Sequence, residues 1–125
     1  MGKKLIWLAC AGAFGTVSRY ALAGITQRWV GDSFPWGTLA VNGLGCLVFG
    51  LIWALASERF TMGADLRLIL LVGFLGAFTT FSTAMAEFGQ MVLDTEWLRA
   101  ATYLIGCNAL GVATFFVGSA LGRMI

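Results

Sequence analysis

The chain has 125 residues, 59% of them hydrophobic and 11% charged, with a formal net charge of +2, where ordinary soluble domains carry roughly 25% charged residues. That balance excludes a soluble globular domain and a nucleic-acid partner, and points to an integral membrane protein built as one domain over 1–125. Histidine is absent and the three cysteines (Cys10, Cys46, Cys107) stand apart in apolar runs, so neither a disulfide framework, a zinc site nor histidine-based catalysis is expected, and the chain is not read as an enzyme.

Four apolar segments follow one another, each close to the roughly 20 residues that cross a bilayer as a helix. The first is expected over about 5–26, behind Lys3 and Lys4, with Ser18-Arg19 interrupting its apolar run. The second, about 36–57, is opened by Pro35, the only proline, and carries Thr38 and Asn42 in PWGTLAVNG. The third, about 66–92, is expected to be broken: Gly73 and Gly76 with the β-branched pair Thr79-Thr80 weaken the helix there. A break inside a span frees backbone polar groups, which is tolerated only where they face a cavity, water or an ion. The fourth, about 97–122, holds Thr102, Tyr103 and Asn108, and ends on a GxxxG formed by Gly118 and Gly122.

The connections QRWVGDSF, SERFTMGAD and LDTE are short, so neighbouring helices run antiparallel and both termini fall on one side. That side holds Lys3, Lys4, Arg59, Arg67 and Arg123. The other holds Arg28 and Arg99, joined by Arg19 if its long side chain snorkels that way. So even a distribution gives a weak positive-inside bias and permits insertion in both orientations.

The third segment carries two stripes. Gly73, Gly76, Thr80, Thr83 and Glu87 fall on one helical face, and Phe74, Phe78, Phe81, Met85 and Phe88 on a neighbouring one. Aromatic stripes at this spacing usually pack, and Thr and Ser in membrane helices often bond their own i−4 carbonyl. Density is what sets this stretch apart, because an intramembrane carboxylate such as Glu87 marks a polar cavity or pathway, here near a vestibule. With Asn42 and Asn108, polar groups come from three helices and favour a polar path. Amide N–H groups, hydroxyls, an arginine and the positive edges of phenyl rings are donors, so the passenger is expected to be a small anion.

These motifs resemble the CrcB/Fluc fluoride channel family. The resemblance spans nearly the whole chain and rests on GAFGTVSRY (12–20), PWGTLAVN (35–42) and GFLGAFTTFSTAMAE (73–87) in that order and spacing. It implies small four-helix subunits in the bacterial-type inner (plasma) membrane, assembled as antiparallel, dual-topology dimers with passive fluoride export. It also implies a structural sodium ion at the dimer centre. Position by position, Asn42 becomes the pore amide and Phe81 the ring whose edge faces fluoride, with Thr80, Ser82, Thr83 and Asn108 on or beside the polar track. Gly76 and Thr79 would offer backbone carbonyls to sodium, and Arg19 and Glu87 would stand near the vestibule or subunit interface.

Two positions depart from the family pattern. TTFSTAM places Ala84 where a second phenylalanine is usual, and NALGV places Val112 at a usual serine. One reading of these losses is that the chain is half of a heterodimeric channel. A small dual-topology multidrug/proton exporter is the alternative from another class, but it needs a carboxylate in the first span, where this chain has only Arg19.

Overall fold

A computed structural model describes residues 2–59 and 62–125; the side chain of Arg59, expected on the terminal side, lies outside the described residues. Helix α1 runs Gly2–Val30, and α2 runs Trp36–Ala54 before a π-helical turn over Leu55–Arg59. The third span is composite: α3 (Ala64–Leu68), a π-helical stretch (Ile69–Leu75), α4 (Gly76–Phe78), two extended residues, and α5 (Phe81–Leu93). Helix α6 covers Trp97–Met124. Each of the four spans is long and apolar enough to cross a membrane, and no strand occurs among the described residues. The fold is therefore all-α, with four spans and a broken third one.

Helix α1 outruns the segment expected from hydropathy by about one turn at its C-terminal end. Thr26, Gln27 and Arg28 are polar but continue the helix, which stops only at Gly31. There φ is +108°, a left-handed conformation that glycine adopts at little cost. Gln27 then organises the connection. Its Nε2 donates to the carbonyls of Gly31 (2.7 Å) and Phe34 (2.8 Å), and its Oε1 accepts from the Gly37 N–H (3.0 Å), one of the orphan donors in the first turn of α2. The α5–α6 turn is closed by Thr95 N–H to Val92 O (3.0 Å) and Glu96 N–H to Met91 O (2.9 Å), with Thr95 itself at φ 60°.

Small residues set the helix spacing. A Cβ on Gly118 would overlap the Leu47 carbonyl oxygen, one on Gly50 would overlap that of Phe115, and one on Gly122 would lie 2.7 Å from Leu51 O. The GxxxG of the fourth span is thus consumed in a backbone-to-backbone seam between α6 and α2. Two apolar clusters fill the remainder, Val41–Leu71–Leu75–Phe78 on one side and Ala84–Met91–Ala100–Tyr103 on the other. Ile6, Phe14, Val17 and Ile105 are mostly exposed, as expected where lipid is the solvent.

Polar contacts mark the two ends of the bundle. Lys4 pairs with Asp65 (2.5 Å) and the Arg67 guanidinium lies 4.4 Å from the Trp53 ring centre, both at the terminal end. At the other end Arg99 pairs with Glu96 (2.8 Å) and donates to the Ser33 carbonyl, tying α6 to the α1–α2 connection.

A broken helix between two grooves

The break occupies Thr79 and Thr80, whose backbones are extended (φ −82°, ψ 159° and φ −148°, ψ 105°). β-Branched side chains favour that conformation, and threonine also caps helices well. Thr79 closes α4, its N–H and Oγ1 both donating to Leu75 O at 3.0 and 2.9 Å. Thr80 opens α5: its Oγ1 accepts from the Thr83 N–H (3.2 Å) and donates to Thr83 Oγ1 (2.8 Å).

Thr80 still has a backbone N–H to satisfy, and a second lone pair on the C=O that as N-cap already accepts the first bond of α5, in a residue only 8% exposed. Asn42 satisfies both. Its Oδ1 accepts from Thr80 N–H at 2.8 Å and its Nδ2 donates to Thr80 O at 3.0 Å, much as a neighbouring β-strand would. Gly45, one turn further along α2, leaves room for the break, because a methyl there would overlap Thr79 Cγ2. The Asn42 amide is therefore part of the scaffold as well as of the surface, and one Nδ2 proton remains outside these two bonds.

On one side of the break, a groove of about 530 Å³ brings together Asn42, Thr79, Phe81 and Asn108. Its lining contains no charged side chain. Phe81 is 75% exposed in the single chain, and Asn108 donates to its own helix at Leu104 O (2.7 Å). Ala84 and Val112 line this same groove, so both departures from the family pattern fall on one surface. On the other side, a groove of about 610 Å³ is lined by Thr38, Thr80 and Thr83 with Arg19 and Arg28. Ser82 is exposed and lines neither groove. The polar track expected from sequence is thus divided by the break, with Thr79 facing one groove and Thr80 the other.

Glu87 is held at both oxygens. Thr38 Oγ1 donates to Oε1 at 2.8 Å, and the Tyr103 hydroxyl donates to Oε2. Tyr103 is fully buried and Thr38 is 7% exposed, so this carboxylate binds α2, α5 and α6 together beside a recess shared with Asp32, Asp94 and Glu96. In the sequence Tyr103 stands out only as a residue on an earlier turn than Asn108; the signal for its role is that a buried tyrosine hydroxyl needs a partner. Gln27 carried no such signal, because it lay in an apparent loop.

The carbonyl side of the break suits a hard cation. In an unbroken helix the Thr80 N–H would bond to Gly76 O; here it is diverted to Asn42, so Gly76 O loses its helical donor. Gly76 is also exposed at the surface of the chain. Among the described residues no group of His, Cys, Asp and Glu could hold a metal, so backbone and hydroxyl oxygens are the donors on offer.

Comparison with known proteins agrees with this architecture. The family described as CrcB-like protein, Camphor Resistance (CrcB), matches residues 6–119. A protein of Nitrosococcus oceani is 55% identical over 125 residues, covering 100% of both chains. Proteins of Solidesulfovibrio magneticus and Desulforapulum autotrophicum are 46% and 43% identical, again over 100% of both chains. All three are named fluoride-specific ion channel FluC. With a family match over almost the whole chain and relatives aligned end to end, this protein belongs to the CrcB-like family.

Proposed function

We propose that the chain is a subunit of a fluoride-selective channel that lets fluoride leave the cytoplasm passively, and not an enzyme. The observation that carries this reading is the uncharged groove in which Asn42, Asn108 and Phe81, from three helices, meet beside the break. Relatives of full-length similarity bear the name of such a channel. Fluoride is small and tightly hydrated, so a path must replace its water with donors, and amides, hydroxyls and ring edges supply them. Neutral HF crosses membranes and ionises inside, which gives a cell in acid surroundings a reason to let the anion out.

Both grooves open onto the surface of the single chain, and Phe81, Val112 (59%) and Phe116 (65%) are exposed there. A second copy in the opposite orientation would close them, and the even charge distribution suits insertion both ways. In that dimer the carbonyls of Gly76 and Thr79 would hold a structural sodium ion, which supplies positive charge at the subunit junction. Arg19 and Glu87 would then stand at the vestibule. The membrane is the bacterial-type plasma membrane. Ala84 and Val112 favour one further reading, in which a related but unequal chain supplies the missing ring and hydroxyl.

Expression in a bacterium that lacks fluoride export tests the proposal. The tolerated external fluoride should rise at least about tenfold, with tolerance to other halides unchanged. No rise, with the protein present in the membrane, contradicts it.

A further inference from the structure

The groove lined by Thr80 and Thr83 carries two guanidinium groups and no carboxylate. Both come from α1. Arg19 and Arg28 are separated by roughly 14 Å along the helix axis at 1.5 Å per residue, and Tyr20 and Gly24 line the groove between them. Neither arginine has an ion pair or hydrogen-bond partner among the described residues. The carboxylates at this end are engaged or aimed elsewhere. Glu96 pairs with Arg99, Glu87 is held by Thr38 and Tyr103, and Asp32 and Asp94 line the separate recess. Uncompensated positive charge within a membrane span is costly unless it faces a water-filled cavity, and a groove between low-dielectric walls focuses its field toward anions.

We propose that Arg28 is an anion-collecting residue at the mouth of this groove, raising local fluoride ahead of Arg19 and the threonine wall. The proposal rests on the fluoride reading and adds a residue to it. Arg28 is exposed in the last turn of α1, nine residues beyond Arg19, so it acts through its field and touches no ion in the narrow part. An effect of that kind disappears with screening, since the Debye length falls from about 30 Å at 0.01 M to about 3 Å at 1 M. A side chain that only packs at the helix end would behave otherwise, because losing its contacts would lower flux by the same factor at every ionic strength.

The test is fluoride efflux from liposomes holding the wild-type chain, Arg28→Gln or Arg28→Lys, at equal protein, in about 10 mM and about 1 M impermeant salt. Initial efflux through Arg28→Gln should be about threefold slower than wild type at low salt and equal to it at high salt, with Arg28→Lys matching wild type in both. Equal rates for wild type and Arg28→Gln at low salt overturn the proposal, as does a deficit of the same size at both salts. In either of those outcomes wild-type flux persists and the fluoride reading stands. A wild-type chain that passes no fluoride overturns both.

Discussion

Asn42→Asp should reduce fluoride flux by at least about 100-fold while leaving the protein folded. The substitution keeps the shape of the side chain and the acceptor for Thr80 N–H, but sets a carboxylate oxygen where Nδ2 now donates to Thr80 O at 3.0 Å. Losing that donor costs about 1–3 kcal/mol, offset in part by a stronger, charge-assisted bond to the N–H. The anion suffers more. Two like charges 4 Å apart at an effective dielectric near 20 repel by about 4 kcal/mol, roughly three powers of ten in occupancy. Efflux from liposomes checks the first part and elution as a single species checks the second; unchanged flux removes Asn42 from the pathway.

The second large effect concerns the scaffold. Gly118→Ala places a methyl on the Leu47 carbonyl oxygen, with the Leu51 N–H also within 3.0 Å, and backbone on the facing helix cannot move aside as a flexible side chain would. Helices α2 and α6 must part along the seam that Gly50 and Gly122 share. The melting temperature in detergent should fall by at least about 10 °C, or the folded species be lost, as for an overpacked contact of several kcal/mol. Gly106→Ala, on the same helix with nothing within 4 Å of the added carbon, should be near neutral. Similar behaviour of the two variants would show that the seam is looser than described.

These two sites also show what could be read from the residues and what could not. The four spans follow from apolar length alone, and the break from two glycines before a β-branched pair. The register across the break did not follow. Indexing Gly73, Gly76, Thr80 and Thr83 as one face assumes an unbroken α-helix, but a π-helical stretch precedes Gly76 and two extended residues reset the phase before Phe81. Gly73 consequently packs on α1 near Leu8 O and Ala11, Gly76 is exposed, and Thr79 and Thr80 face different grooves. The double bond of Asn42 to Thr80 joins residues far apart in the chain, and local periodicity carries no signal for such a pairing. Nor does a GxxxG reveal its partner; Gly118 and Gly122 meet α2 of the same chain. Ala84 and Val112 were legible as departures, and the structure adds that they share the groove of Asn42 and Phe81.

That convergence makes one measurement decisive. Liposomes loaded with equal fluoride and chloride, and holding this polypeptide alone, should lose fluoride rapidly through the protein-containing fraction and retain their chloride. Release of both anions together, or of neither from vesicles shown to contain folded protein, would contradict a fluoride-selective path formed by copies of this chain.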